Sequence, residues 1–301
     1  MKSNFEMPDL VGKTAVITGA NSGLGMETAR VFGRLGARVV LACRNPEKGK
    51  GALTELVVEN PDGQFELMML DLSSLDSVHT FASTFQEKFD HLDILCNNAG
   101  VMMLPEFQKT ADGFEMQFGT NHLGHFALTG LLFPLLKKTA GARIVTVSSN
   151  AHRWGKFELD NLNSEKKYNR NSAYGISKIS NLYFTYELQR RCDASNLKIV
   201  AAAAHPGWTA TNLQRHTPLF NLGNKLGLAQ STEMGALPQI RAALDPNVGG
   251  GEYYGPKGWG EWRGQPKQVN SNSKSHSIEN AQRLWEISEK LTGVNYPFVD
   301  E

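Results

Sequence analysis

Little in this chain of 301 residues would tie it together covalently or hold a metal. It has three cysteines, Cys43, Cys96 and Cys192, odd in number and far apart. No CxxC or mixed Cys/His cluster occurs, which argues against a disulfide framework and a zinc site and fits a reducing compartment. Charge of one sign is also lacking. The 31 basic residues face 30 acidic ones, for a net charge of +1. That balance speaks against a nucleic-acid surface. No apolar run reaches the roughly eighteen residues of a membrane-spanning helix. The polar start "MKSNFEMPDLVGK" has no signal-peptide core. Repeats and low-complexity tracts are absent as well. These absences lead us to expect a soluble, cytoplasmic protein without a membrane anchor, long enough to bury a substantial core.

What is present is an alternation of short apolar runs and helix-period segments. Strands are predicted at 13–19, 37–43, 65–72, 92–100, 142–149 and 197–207, with a late edge strand at "EYYGP". Helices are predicted at 23–36, 47–60, 75–89, 112–137, 172–192 and 277–291. The segment 258–275, rich in Gly, Ser and Asn, reads as a loop. Continuously apolar strands need cover on both faces. The pattern predicts a doubly wound α/β fold of the Rossmann type: a parallel sheet of about seven strands, helices on both faces, one domain over 1–301. Residues 257–301 form a C-terminal extension of it.

Three groups of residues carry chemistry. "TGANSGLG" follows a strand and opens a helix. Gly19, Gly23 and Gly25 allow a tight turn and close approach to a pyrophosphate, which the helix N-terminus would attract. Its G-x-x-x-G-x-G spacing differs from G-x-G-x-x-G, and alone it would be only a turn. "SAYGISK" sets Tyr174 and Lys178 on one helix face at i,i+4. A nearby ammonium is expected to lower the tyrosine pKa from its usual value of about 10 and ready it for proton transfer. Alone, such a pair is most often a surface feature. "RIVTVSS" ends a strand with Ser148 and Ser149, where ligands bind in open α/β sheets. The second strand lacks the acidic residue that would hold an adenosine ribose, and offers Cys43 and Arg44 instead.

Taken in order, "TGANSGLG", "DL" (71–72), "NNAG" (97–100), "TNHLG" (120–124), "VSS" (147–149), "YGISK" (174–178) and "HPGWTAT" (205–211) resemble the short-chain dehydrogenase/reductase family over residues 12 to about 256. "LACRN", "NNAGVM" and "TNHLGHF" are most similar to the branch of retinol dehydrogenases and WW-domain oxidoreductases. Many of that branch carry an N-terminal hydrophobic anchor, which "MKSNFEMPDLVGK" does not resemble. The resemblance implies that Tyr174 is the general acid/base, with Lys178 lowering its pKa and bonding the nicotinamide ribose. Ser149, rather than Ser148, would hold the substrate oxygen. Asn121 would organise a water-linked relay with Lys178. The dinucleotide would be held by Gly19, Asn21, Ser22, Gly23, Leu24 and Gly25, with Asp71 and Leu72 at the adenine. Asn98 and Gly100 would line the ribose, although "NNAG" reads equally well as a brace for the central strand. Pro206, Gly207 and Thr211 would meet the nicotinamide end. In the family pattern Cys43 stands at the usual acidic position, and Arg44 suits a 2′-phosphate, so NADP(H) is expected over NAD(H). Arg44 as a solvated residue or a stack on adenine is the alternative.

The family's substrate lid corresponds to about 208–230. Trp208, Leu213, Leu219, Phe220, Leu222, Leu226 and Leu228 there suggest a lipophilic or aromatic carbonyl, or simply pack the lid down. Trp259 and Trp262 are candidates to close the same pocket. His205 reads as a packed or capping residue, and His152 as packed or at the pocket edge. The expected activity is NADP(H)-dependent interconversion of an alcohol with a ketone or aldehyde. A pathway-specific reductase of a polyketide, steroid or sugar is the alternative. A non-catalytic dinucleotide sensor is another, which intact Ser149, Tyr174 and Lys178 oppose. Pairing through the helices near 112–137 and 172–192 would give a homodimer or homotetramer, although core burial explains "LTGLLFPLL" equally well.

Overall fold

Strands rich in Val, Ile and Ala pair into one sheet. The computed structural model describes residues 4–210 and 229–299. Its strands are β1 (Thr14–Thr18), β2 (Arg38–Cys43), β3 (Gln64–Met69), β4 (Ile94–Asn97), β5 (Arg143–Val147), β6 (Val200–Ala204), β7 (Tyr253–Pro256) and β8 (Pro266–Gln268). Their order is β3-β2-β1-β4-β5-β6-β7-β8. Neighbours are parallel except β8, which runs antiparallel to β7 with Tyr254 opposite Gln268. The helices are α1 (Gly23–Arg34), α2 (Pro46–Glu59), α3 (Leu75–Lys88), α4 (Met116–Phe118), α5 (Gly124–Lys138), α6 (Arg170–Ala194), α7 (Thr232–Leu244) and α8 (Ile278–Thr292). A π-turn, Gly119–Leu123, joins α4 to α5.

The sheet is covered on both sides, as its apolar strands require. On one face α1, α2 and α7 bury Ala29, Phe32, Leu56, Ala236 and Ile240. On the other, α3, α5, α6 and α8 bury Phe81, Phe85, Phe126, Phe133, Leu188 and Trp285. Each large apolar side chain taken fully from water contributes roughly 1.5–3 kcal/mol. The C-terminal extension is part of this core. Trp285 and Tyr296 stack among Phe126 and Phe184, and the Tyr296 hydroxyl donates to Phe126 O at 2.7 Å. Every α6 residue from Ala173 to Gln189 is buried within this one chain. The apolar excess of "LTGLLFPLL" is absorbed the same way, with Leu132, Phe133, Leu135 and Leu136 buried in the core beside Val294 and Tyr296.

Several elements differ from their sequence readings. The sheet has eight strands, not about seven, because three residues of the supposed loop 258–275 pair as β8. Two of them, Lys267 and Gln268, are exposed. A proline-led polar strand is tolerated at an edge and carries no apolar signature. Helix α7 had no predicted counterpart: Gly235 and Pro238 interrupt its pattern. It is held on α1 by Gln239, whose Nε2 donates to Thr28 Oγ1. The helix predicted at 112–137 begins at Met116 and passes through the π-turn. The strands predicted at 92–100 and 197–207 end at Asn97 and Ala204, where the chain leaves the sheet to line a crevice.

Candidate active site

Strand order reverses between β1 and β4, which opens a crevice at the carboxyl ends of the parallel strands. The glycine turn stands there. Gly19 (φ +68) and Gly23 (φ +55) adopt left-handed backbone, and a Cβ on Gly25 would lie 2.6 Å from Gly19 O. Helix α1 starts uncapped: the Ser22 side chain makes no capping bond, and the first turn has no acidic residue. Its N–H groups and partial positive charge are left for an anion. Beside the turn, the buried Cys43 thiol accepts the N–H groups of Ala20 and Asn21, and burial pushes its pKa up to about 12. The thiol is therefore neutral. Arg44 follows and is exposed.

The "NNAG" side chains brace the crevice. Asn98 Nδ2 donates to Thr18 O at 2.7 Å, and Asn97 Nδ2 to Thr129 Oγ1 at 2.9 Å. Thr18 Oγ1 accepts from both Asn98 N and Ala99 N at 2.9 Å. With both acceptor sites filled, its proton goes to His125 Nε2 at 2.9 Å, and His125 Nδ1–H donates to Asn121 O at 3.0 Å. This chain of bonds, built on a histidine the motifs did not single out, joins β1, β4 and the π-turn. Burial holds His125 neutral, with its pKa down at about 4. Asp71 spends Oδ1 on Ser73 N and Oγ, and Leu72 O packs against Gly124.

The chemical end is assembled by β5, the turn after it and α6. Ser148 and Ser149 divide sharply. Ser148 Oγ donates to Lys178 O at 2.8 Å and ties β5 to α6. Ser149 opens a short turn, Asn150–Arg153, and its hydroxyl is hydrogen-bonded to the Tyr174 side chain. That turn reaches α6 because two glycines meet: a Cβ on Gly175 would lie 2.5 Å from Gly155 N. Lys178 Nζ donates to Val147 O at 2.9 Å and lies 5.7 Å from the centre of the Tyr174 ring. Asn121 is wholly buried. Its side chain is spent on Val101 N (2.8 Å), Val101 O (2.9 Å) and Ser177 Oγ (2.9 Å). Gly100 lies between Asn121 and Lys178: a Cβ there would be 3.0 Å from Asn121 Oδ1 and 3.7 Å from Lys178 Nζ.

The electrostatics correct one expectation. Lys178 does not draw the Tyr174 pKa down. Burial dominates and pushes the phenol up to about 12, with the Ser149 bond working against it. The same dryness lowers Lys178 to about 8. Both groups sit in low dielectric, where the neutral form is favoured.

His152 lies beneath the site and not at its edge. It is fully buried; Nδ1–H donates to Ser149 O at 2.7 Å, and Nε2 accepts from Asn272 N at 3.2 Å. His205 is packed, as read from the sequence. Pro206 and Gly207 (φ +64) form the turn after β6, and Trp208 stacks edge-on to Trp262 at 6.0 Å. Trp259 lies 5.1 Å from Trp262 and is 83% exposed. Thr211 and the lid residues Leu213 to Leu228 lie outside the described residues. A hollow of about 360 Å³, lined by Phe114, Leu162, Glu165 and Ile287 among others, shares no residue with this site.

A family model described as short chain dehydrogenase matches residues 13–219. Retinol dehydrogenase 14 of Mus musculus is 42% identical over 94% of this chain and 86% of its own length. Retinol dehydrogenase 12 of Homo sapiens is 40% identical over 98% and 90%. The crystal structure of an uncharacterized protein from Mycobacterium Paratuberculosis superposes with a TM-score of 0.81, at 40% identity and 97% coverage of both chains. A short chain dehydrogenase from Shigella flexneri complexed with NADP, 22% identical with a TM-score of 0.66, covers 82% of this chain and 98% of its own; it shares the fold. No helix among the described residues is long and apolar enough to cross a membrane.

Proposed function

The chain belongs to the short-chain dehydrogenase family, oxidoreductases of alcohol and carbonyl groups, and from that premise we propose that it interconverts a lipophilic or aromatic alcohol with its aldehyde or ketone using NADP(H). The observation that carries the reading is the grouping of a half-buried Ser149 with the buried Tyr174 and Lys178 beside an uncapped helix N-terminus.

The residues fit a dinucleotide. The uncapped N–H groups of α1 suit a pyrophosphate. The buried Lys178 ammonium has one protein acceptor, Val147 O, and no ion-pair partner among the described residues, which leaves donors for ribose hydroxyls. Arg44, exposed beside the neutral Cys43, suits a 2′-phosphate. Asp71, Leu72, Asn98 and Gly100 would flank the adenosine, and Pro206, Gly207 and Thr211 the nicotinamide. The nicotinamide supplies the hydride.

The chain's own residues handle the oxygen and its proton. Tyr174, protonated at neutral pH, holds the proton for a carbonyl oxygen, and Ser149 offers a second hydroxyl to the same atom. Two fixed donors in a dry site neutralise a growing alkoxide without reorganisation. Lys178 replenishes the tyrosine. Asn121 is assigned to a water-linked relay with Lys178; its main-chain oxygen accepts His125 Nδ1–H at 3.0 Å, and its side chain is spent on Val101 and Ser177. The tryptophans at the rim, and the retinol dehydrogenases among the relatives, support a lipophilic substrate.

The test is NADPH oxidation with a panel of ketones and aldehydes that includes retinal. Oxidation with an apolar member, abolished in Tyr174→Phe, is expected. No turnover with any carbonyl would sink the reading.

A further inference from the structure

Two successive residues in the loop between β7 and β8 have left-handed backbone: Gly260 (φ +61) and Glu261 (φ +57). Glycine is at home there, and glutamate is not. Such a residue persists only where its surroundings hold it. Here the hold is visible. Glu261 Oε2 lies 3.0 Å from Nε2 of His205, which is 1% exposed. His205 Nδ1 accepts the Gly207 N–H at 3.3 Å, so the proton sits on Nε2 and is donated to the carboxylate. The imidazole fits only because β7 has no side chain beneath it: a Cβ on Gly255 would lie 2.0 Å from Nε2.

The loop also grips the Pro206–Gly207 turn through its backbone. Trp208 N donates to Trp262 O at 2.7 Å, and a Cβ on Gly207 would lie 2.4 Å from Trp262 O and 2.8 Å from Glu261 O. On its other side, Gly260 O accepts from Asn150 Nδ2 at 3.3 Å, and Asn150 follows Ser149. One loop therefore joins the turn after β6 to the turn after β5. Arg153 and Lys267 are the cations that act on Glu261.

We propose that Glu261 is a positioning residue: through His205 it sets the Pro206–Gly207 turn, and so the affinity for the nicotinamide end of the cofactor. The proposal rests on the reading of that turn as a cofactor contact. The test compares Glu261→Gly with Glu261→Gln in the full chain. NADPH binding is followed by fluorescence without substrate, beside steady-state KM and kcat and thermal unfolding. Glu261→Gly removes the carboxylate and suits the left-handed backbone. It is expected to weaken NADPH about tenfold in the folded enzyme, the scale of one hydrogen bond to a charged group. Glu261→Gln keeps an acceptor for His205 Nε2–H and is expected to stay within about threefold of the parent. Should Glu261→Gly not fold, Glu261→Asn, which also tolerates this backbone and falls short of His205, takes its place. Unchanged NADPH affinity in the folded variant, whatever happens to Tm, overturns the proposal. So does a Glu261→Gln variant as weak as Glu261→Gly. If the parent protein binds neither NADPH nor NADH, the dehydrogenase reading fails, and this proposal with it; if it binds NADH alone, the same comparison is made with NADH.

Discussion

The two ends of the crevice are built on opposite principles. At the β1–β2 end the groups we assign to the cofactor lie open, an uncapped helix and an exposed Arg44, beside a neutral thiol that is itself buried. At the β5–α6 end they are tied, and the tyrosine and lysine are buried. Ser149 is fixed through His152, Ser148 is bonded to α6, and Tyr174 and Lys178 are 4% and 3% exposed. An open end can select its ligand by charge, in competition with water. A closed end acts by position, because moving any one group disturbs bonds made by its neighbours. Damage to the two ends should therefore appear in different measurements.

The largest effect is expected at the closed end. Tyr174→Phe keeps the ring and removes the proton, so kcat should fall at least about a hundredfold while NADPH affinity holds. Near-normal turnover would break the contrast. Lys178→Ala should harm turnover and cofactor affinity together. The parent enzyme also carries a pH signature. Burial lowers Lys178 from 10.5 to about 8, so the ammonium is intact below that pH and is lost as pH rises through it. The kcat/KM for carbonyl reduction should fall above about pH 8. Lys178→Arg, charged throughout, should abolish that fall; a profile flat to pH 10 in the parent would remove Lys178 from the chemistry.

The open end should respond in affinity alone. Arg44→Ala is expected to weaken NADPH by roughly 1.5–3 kcal/mol, the scale of a charged hydrogen bond, and to leave NADH unchanged. Equal losses for both cofactors would show that the arginine does not meet a phosphate. The smallest effect belongs to His152→Gln, which loosens Ser149 without touching a ligand. A several-fold loss of kcat at unchanged NADPH affinity would sharpen the comparison.

How much of this was legible depends on how far each signal travels along the chain. The glycine turn, the strand-end serines and the Tyr174–Lys178 pair lie within single elements, where backbone geometry alone fixes neighbours. The parallel sheet was legible because its apolar strands need cover on both faces. What could not be read are bonds between distant segments. His205 meets Glu261 across 56 residues, and His152 meets Asn272 across 120. Neither pair has a spacing rule. The direction of the Tyr174 shift was misread for a related reason: i,i+4 placement shows that an ammonium is near, whereas the degree of burial is set by the whole fold. Helix α7 and strand β8 escaped because Gly235, Pro238 and Pro266 suppress local propensity, and tertiary contacts override it.

The aromatic cover on α6 has a consequence for the order in which this protein comes into being. The face of α6 that meets Trp285 and Tyr296 lacks that part of its cover until residues near 298 have been made, about 120 residues after Tyr174 and Lys178; until then Phe184 has Phe126 and His122 beside it. A ribosome translating this chain therefore leaves that side of α6 only part-covered for several seconds at ordinary elongation rates. During that interval the unfinished sheet exposes apolar surface. A chain cut before α8 would stay in that condition, a client for chaperones and proteases with Ser149, Tyr174 and Lys178 all present.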